Sequence, residues 1–167
     1  MYTSRRERLM HYREAYSSDI EQIASFYNEL AYYIQQQTHD AYWDFGKLET
    51  EGLKEYLKNI IAHEEAILLV AVEEQEIVGF LTGEIMTCHL PISSVKEVGY
   101  IAGAYVVEKF RGQGIMKNLE GRAIEFFKNK GLKYVEVNFI TNNVIAKESW
   151  KGMGYCTFRE QARKFIG

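Results

Sequence analysis

An alternating apolar stretch, a glycine turn and an amphipathic segment follow one another directly in the second half of the chain. Residues 98–107 alternate as a strand does, and the turn behind them contains Gly112 and Gly114. From Ile115 onward apolar residues recur at helical spacing, and lysines followed by Gly131 are typical of a helix C-terminus. The sequence therefore predicts a strand–turn–helix unit, which restricts the fold to a sheet with helices packed on it.

Further strands and helices are predicted on either side of this unit. Ser18 and Glu21 have the spacing of a capping box, so a helix is expected to begin there. A second helix is expected to bury the face from Leu53 to Ile61. Because strands and helices alternate, the pattern predicts a mixed sheet with helices on both faces. The other expected elements are strands at 11–16, 66–72, 77–86 and 134–139, a helix at 144–153, and a last strand pair that begins at Gly154.

Length, charge and cysteine content exclude several classes of protein. The 167 residues suffice for one domain, expected at 11–167 behind a polar tail at 1–10. A net charge of −3 gives no overall basic field for nucleic acid, and two cysteines without a CxxC motif predict no metal site. The apolar run at 66–72 is too short to cross a bilayer, and the N-terminus lacks the apolar core of a secretory signal. We therefore expect a cytoplasmic protein whose partners include neither membrane nor nucleic acid.

The glycine turn before Ile115 is a candidate anion site. The first N–H groups of a helix have no intrahelical acceptor and carry partial positive charge, and glycines let a ligand approach them. Arg111 adds a full positive charge, so a phosphate or diphosphate is the best-suited ligand. The alternative, that the glycines only form a tight connection, stays open at this point. A P-loop is disfavoured because Ile115 and Met116 replace its Lys-Ser/Thr pair. A dinucleotide-binding fingerprint is also disfavoured, because Lys117 replaces its third glycine.

Two blocks of the sequence resemble the motifs of the GNAT N-acetyltransferase superfamily. The first, Arg111-x-x-Gly114-x-Met116, is similar to motif A of that family, Arg/Gln-x-x-Gly-x-Gly/Ala, from which Met116 departs. Together with the first strand and the central hairpin, the resemblance extends over roughly residues 11–158. The second block is similar to motif B at every spacing, with tryptophan in place of the usual tyrosine: Asn143-x-x-Ala146-x-x-x-Trp150-x-x-x-Gly154-Tyr155.

The resemblance implies an α/β domain with a mixed, mostly antiparallel sheet flanked by helices on both faces, and acetyl-CoA as co-substrate without a metal. An amine would attack the thioester carbonyl and CoA would leave as a thiolate, while the enzyme positions the reactants and offers an amide to the oxyanion. The residues implied for CoA are Arg111, Gly112, Gln113, Gly114, Ile115 and Met116 at the diphosphate, Tyr105, Val106 and Val107 beside pantetheine, and Asn143, Ala146 and Trp150 farther along it.

The acid that protonates the leaving sulfur is not specified by this resemblance. In the family it is usually the tyrosine that Trp150 replaces, and an indole does not release its proton at working pH. Three explanations stay open. Tyr155 or Tyr105 substitutes for the tyrosine, water protonates the thiolate, or no acid is needed because a thiolate is a tolerable leaving group.

Three residues are candidates for the base that receives the amine's proton. Glu97 and Tyr100 lie on the predicted strand at 98–107 or beside it, and Glu84 lies on its hairpin partner. The adjacent pair Cys88 and His89 lacks a third orienting group, so catalysis is not expected there. Strict alternation along the strand would place Glu97, Gly99, Ile101 and Gly103 on one face.

The aromatic segment at 35–46 is the candidate acceptor site. Core packing is its plain interpretation, but in the family this segment often shapes the acceptor pocket. Asp40 and Asp44 would then hold a cationic amine, and Trp43 would add cation–π attraction. We therefore expect acetyl transfer to an amine of a small molecule. A protein N-terminus or lysine as acceptor, an oxygen acceptor, another acyl donor, a CoA-binding module without turnover, and a homodimer stay open.

Overall fold

The computed structural model of the protein describes residues 9–43 and 50–167. These residues form five strands and four α-helices, with short 3₁₀ turns at Ser17–Asp19, Ala41–Trp43 and Glu108–Phe110. The strands are β1 (Met10–Glu14), β2 (Ala66–Glu73), β3 (Glu76–Thr87), β4 (Glu97–Val106) and β5 (Val135–Val137). The helices are α1 (Ile20–Thr38), α2 (Thr50–Ala62), α3 (Ile115–Asn129) and α4 (Val144–Gly152).

The strands form one sheet in the order β1-β2-β3-β4-β5. Neighbouring strands are antiparallel except β4 and β5, which are parallel. Helices α1 and α2 pack on one face, and α3 with Trp150 of α4 packs on the other. The predicted fold class, a mostly antiparallel mixed sheet between helices in one domain, is confirmed. No helix in the described part of the chain is both long and apolar enough to cross a membrane.

Helix α3 packs on the sheet through a stripe of side chains four residues apart. Ile115, Leu119, Ala123 and Phe127 are all buried, as an amphipathic helix on a sheet requires. The Phe127 ring lies over β4 where that strand has Gly99, and a Cβ built there would stand 2.6 Å from the ring. A glycine in mid-strand is therefore explained by the close approach of α3.

We expect Gly99→Ala to lower the free energy of unfolding by about 1–3 kcal/mol, because the methyl group would displace the Phe127 ring in a close-packed core. Urea unfolding followed by circular dichroism measures this change. Gly121→Ala is the matched control on α3, since no atom lies within 4 Å of its added Cβ. The control is expected to be stabilising by about 0.5–1 kcal/mol, and equal losses in both variants would contradict the packing account.

A β-bulge in β4 reverses the side-chain alternation of this strand. Thr82 of β3 lies opposite Gly103, but the next residue, Gly83, lies opposite Ile101, so Ala102 is the extra residue. A Cβ at Gly99 would meet Phe127 beneath α3, whereas a Cβ at Gly103 would meet the Tyr27 hydroxyl of α1. The prediction placed Gly103 on the same face as Glu97, Gly99 and Ile101. It is wrong for Gly103, because the bulge adds one residue between Ile101 and Gly103.

Other predictions at the element ends are corrected by the structure. The predicted capping box is wrong: the Asp19 carboxylate, which is also paired with Arg13, accepts the Tyr16 N–H at 2.7 Å. Strand β1 begins at Met10, inside the predicted tail at 1–10. The last strand pair expected from Gly154 is also wrong, since residues 155–167 of the described chain contain no strand.

Candidate functional site

Strands β4 and β5 diverge and leave a cavity between them. They pair only from Gly99 to Ile101 with Val135 to Val137, and the Gly99 N–H donates to Tyr134 O at 3.0 Å. Strand β5 is therefore shorter than predicted, because it has no partner beyond Val137. The cavity at this divergence has a volume of about 150 Å³ and is lined by Leu30 and Ile34 of α1, residues 101–104, residues 137–140, Asn143, Ala146 and Trp150.

The far half of β4 presents unpaired peptide groups to this gap. The Val107 N–H donates to Val78 O at 2.9 Å, so by alternation the peptide groups of Tyr105 also face β3. Those of Ala104 and Val106 face the gap instead. The Arg111 Nε donates to Val106 O at 2.9 Å, which ties the arginine to the end of the strand. Of the three residues predicted beside pantetheine, only Val106 turns its peptide groups toward the gap.

The glycine loop lies at the end of the same gap and is exposed. Gly112 and Gly114 have φ angles of 75° and 78°, a left-handed conformation that side chains disfavour. The first helical hydrogen bond of α3 runs from the Asn118 N–H to Gly114 O at 3.1 Å. The N–H groups of Ile115 and Met116 therefore have no acceptor within the helix. Gln113, also in this loop, donates through Nε2 to Lys109 O at 3.2 Å.

Met116, which departs from the family motif, does not obstruct the loop. Its side chain is partly buried and packs against the core beneath α3, while its peptide N–H belongs to the first turn of α3, directly after the exposed glycine loop. The larger side chain is accommodated on the core side of the helix. The departure from the motif is therefore compatible with a ligand at the loop.

Helix α4 contributes the wall at the other end of the cavity. Asn143 caps the helix, since its Oδ1 accepts the Ala146 N–H at 3.1 Å, and both residues line the cavity. Trp150 is 6% exposed and contacts Tyr155 edge-on at 5.3 Å between ring centroids. The Tyr155 hydroxyl donates to Glu120 Oε1 at 3.0 Å, and burial together with that carboxylate raises the pKa of Tyr155.

A hydroxyl cluster lies on the α1/α2 face of the sheet, close to the bulge. The Tyr56 hydroxyl donates a hydrogen bond to the Glu84 carboxylate, and the Tyr27 hydroxyl is 3.0 Å from Thr82 Oγ1. Thr82 Oγ1 also lies 3.4 Å from Gly103 O. Burial raises the pKa of Tyr27 to about 12. Sequence reasoning missed Tyr27, Tyr56 and Thr82 because the tyrosines lie on apolar helix faces and were attributed to the core.

Two of the three candidate bases lie beside this cluster. Glu84 is directly opposite Tyr100 in the β3–β4 register, and the Asn138 Nδ2 donates to the Tyr100 hydroxyl at 3.2 Å. Asn138 itself lines the cavity. Glu97 lies at the exposed start of β4, on the face that Gly99 turns toward α3. The structure therefore brings Glu84 and Tyr100 together and leaves Glu97 on the opposite face.

Of the candidate acceptor residues that follow α1, Asp40 and Trp43 already have partners within the chain. Asp40 accepts the Tyr42 N–H at 2.9 Å and forms an ion pair with Arg163, so its charge is neutralised within the chain. Trp43 contacts Tyr42 edge-on at 5.5 Å between centroids. Asp44 lies outside the described residues. Asp40 is thus held by Arg163 rather than free for an incoming cation.

The remaining candidates do not join the cavity. The Tyr105 hydroxyl donates to Glu29, and burial raises the pKa of Tyr105 to about 12. The His89 ring, next to Cys88, lies 6.0 Å from the Phe158 ring between centroids. Within residues 9–43 and 50–167, no group of three or more His, Cys, Asp or Glu residues is arranged to hold a metal ion.

Known proteins resemble this chain in sequence. The sequence matches the acetyltransferase (GNAT) family over residues 25–155. N-alpha-acetyltransferase 30 of Schizosaccharomyces pombe is 28% identical over 68 residues, which are 41% of this chain and 45% of that protein. An uncharacterized N-acetyltransferase of Archaeoglobus fulgidus is 29% identical over 94 residues, 56% of this chain and 63% of that protein. The chain thus covers less than two thirds of either relative.

Solved structures share the fold over nearly their whole length. A mutant of the BH1408 protein of Bacillus halodurans has a TM-score of 0.82 at 21% identity, covering 93% of this chain and 99% of that one. A "predicted acetyltransferase" of Clostridium acetobutylicum, solved with acetyl-CoA, has a TM-score of 0.75 at 17% identity, covering 94% and 96%. AAC(6')-Iy in complex with the bisubstrate analogue CoA-S-monomethyl-acetylneamine has a TM-score of 0.72 at 16% identity, covering 95% and 97%. At these identities the likeness concerns the fold.

The family match includes β4, the glycine loop, α3 and α4, and so contains both sequence blocks that resemble GNAT motifs. It covers most of the chain, and it agrees with the sheet order, the divergence of β4 from β5 and the exposed loop before α3. The resemblance to the GNAT superfamily that the sequence motifs indicated is confirmed by this match. The protein belongs to the acetyltransferase (GNAT) family.

Proposed function

We propose that the protein transfers an acetyl group from acetyl-CoA to an amine of a small molecule, by direct attack in a ternary complex. One observation supports this above all: the exposed loop before α3 opens into the gap between β4 and β5, and this gap leads to the cavity at Ala102. A groove of this kind accommodates an extended ligand with an anionic diphosphate at one end and a reactive group at the other.

The chain's own groups fit acetyl-CoA along this groove. The N–H groups from Gly112 to Met116 and the helix dipole suit a diphosphate, and Arg111 adds positive charge at its edge. Both peptide groups of Ala104 and the N–H of Val106, whose carbonyl already accepts from Arg111, are available to the amides of pantetheine. When bound, acetyl-CoA supplies a thioester carbonyl that an amine can attack. The bulge at Ala102 supplies a peptide N–H for the charge that develops on the carbonyl oxygen.

Glu84 is the proposed acceptor of the amine's proton. Its carboxylate is half-buried, bonded to Tyr56 and adjacent to Tyr100, so it can bind an ammonium group and take its proton directly or through water. Because this carboxylate is half-buried on the α1/α2 face of the sheet, a compact amine is favoured as the acceptor. The similarity to N-alpha-acetyltransferase 30 makes a protein N-terminus the second candidate acceptor.

Water is the proposed source of the proton for the leaving sulfur. The Tyr155 hydroxyl donates its proton in a hydrogen bond to Glu120, and the Tyr105 hydroxyl donates its proton in a hydrogen bond to Glu29. Trp150 replaces the usual tyrosine and forms an apolar wall of the cavity. Tyr155, Tyr105 and Trp150 are therefore not assigned as the acid, and a thiolate is a tolerable leaving group without one.

The proposal is tested by thiol release from acetyl-CoA with a panel of amines, alongside calorimetric titration of CoA. We expect CoA to bind and thiol release to require an added amine. Binding without release from any amine would instead support a module that retains CoA but has no turnover. Release with peptides alone would assign the protein to N-terminal acetylation.

Trp150→Phe is expected to reduce kcat by less than about tenfold, because the side chain acts as a wall and passes no proton. Steady-state thiol release at saturating acetyl-CoA measures the change. A larger loss, more than about 1.4 kcal/mol of barrier, would show that the indole N–H takes part in the reaction.

A further inference from the structure

The chain beyond α4 crosses the α1/α2 side of the molecule and is held there at three places. We call residues 156–163 the C-terminal strap. The Phe158 ring lies 6.0 Å from the His89 ring, and an Arg159 guanidinium nitrogen lies 4.0 Å from the Glu136 carboxylate on β5. Arg163 pairs with Asp40, and its guanidinium carbon lies over the Tyr42 ring at 4.6 Å from the ring centroid.

These contacts connect the two walls of the cavity. Strand β5 forms one wall, and α1 forms the other through Leu30 and Ile34 before Asp40 follows its C-terminus. Arg163 follows Arg159 by four positions, which is a reach of at most roughly 14 Å for an extended chain. The strap therefore crosses the space between β5 and the end of α1.

The strap crosses at the acceptor end of the groove rather than at the CoA end. Glu136 lies beside Tyr100 in the β4–β5 register, on the face that also carries Glu84. The glycine loop follows the opposite end of β4. An amine that approaches Glu84 between α1 and β5 must therefore pass the strap.

The charges of the strap leave one carboxylate available for the amine. Arg159 and Arg163 pair with Glu136 and Asp40, whereas Glu84 has no ion pair with a lysine or arginine of the described residues. Both arginines are about half exposed, at 41% and 52%, and such ion pairs stabilise a structure only slightly. Single charge reversals should therefore release the strap without unfolding the domain.

We infer that the C-terminal strap is a wall of the acceptor site and selects acceptors by size. A compact amine reaches Glu84 beneath it, whereas an acceptor whose chain continues across the space between α1 and β5 is excluded. The inference rests on the proposed function and specifies its substrate class. It also explains why Asp40, expected from the sequence to bind the acceptor, is paired with Arg163 instead.

The test compares two probes, 1,4-diaminobutane and a hexapeptide with a free α-amino group. In Arg163→Asp we expect the ratio of kcat/KM for the hexapeptide to that for the diamine to rise about tenfold or more, as removal of a steric wall does. Asp40→Arg combined with Arg163→Asp restores the ion pair and should return the ratio to the wild-type value. Lys164→Asp, the same charge change on a neighbouring residue, should leave it unchanged.

Tryptic cleavage after Arg159, followed by mass spectrometry, reports strap release independently of activity. We expect faster cleavage in Arg163→Asp and the wild-type rate in the charge-swapped pair. The Kd for CoA should stay at its wild-type value, because the strap lies away from the glycine loop. If Arg159→Asp with Arg163→Asp leaves the ratio unchanged although the wild type acetylates the diamine, the strap inference is overturned and the proposed function stands. If the wild type acetylates no amine, both are overturned.

Discussion

Replacing Gly114 with valine is expected to weaken CoA binding by about a hundredfold, or about 2.8 kcal/mol, in a domain that remains folded. Gly114 has a φ of 78°, which a β-branched residue adopts only under strain. An added Cβ meets only the Asn118 side chain, at 3.9 Å, so core packing is not affected. The strained loop would rotate its N–H groups away from the diphosphate, and the valine side chain would stand where the ligand approaches. Calorimetric titration with CoA measures the loss.

Gly131→Val is the matched control for this prediction. Gly131 has a similar φ of 81° and no atom within 4 Å of an added Cβ, but it lies at the opposite end of α3. Both variants carry similar backbone strain, so both should unfold at similarly reduced Tm. Only Gly114→Val should lose CoA affinity. Equal CoA affinity in the two variants would mean that the loop is a tight connection and not a binding site.

Glu84→Gln is expected to lower kcat by about a hundredfold, which is within the range of general base catalysis, with the CoA affinity unchanged. The amide keeps the size of the side chain and still accepts the Tyr56 hydrogen bond, but it neither pairs with an ammonium nor takes its proton. The residue lies on β3 opposite Tyr100, away from the glycine loop, so the substitution should not alter the affinity for CoA. Thiol release at saturating acetyl-CoA gives kcat, and calorimetry gives the CoA affinity.

Glu97→Gln discriminates between the two strand carboxylates predicted from the sequence. Glu97 is exposed at the start of β4 on the α3 face, so its replacement should have little effect on turnover. Loss of turnover in Glu97→Gln together with full activity in Glu84→Gln would show that the acceptor binds on the other face of the sheet.

Features encoded by neighbouring residues could be predicted from the sequence. The glycine turn, the start of α3 and the hairpin of β2 and β3 depend on local turn chemistry and on apolar spacing, and the structure has each where it was expected. The proposed CoA end of the site belongs to this class, because Gly112, Gly114 and Met116 would act there through backbone groups of one short segment.

Features that depend on distant partners could not be predicted in this way. The bulge at Ala102 exists only in the register between β3 and β4, so alternation placed Gly103 on the wrong face. Tyr56 meets Glu84 from another helix, and Arg163 meets Asp40 from 123 residues away. In each of these two pairs the sequence analysis identified one residue, Glu84 or Asp40, as a candidate but could not identify the partner that it contacts. The acceptor end of the site was therefore only partly predictable.

A crystal structure of the protein with CoA tests the central claim most directly. We predict that diphosphate oxygens accept hydrogen bonds from N–H groups between Gly112 and Met116, and that pantetheine lies between β4 and β5 with its sulfur near Ala102. A diphosphate bound elsewhere, or a β4–β5 gap that stays closed while CoA is bound, would contradict this account.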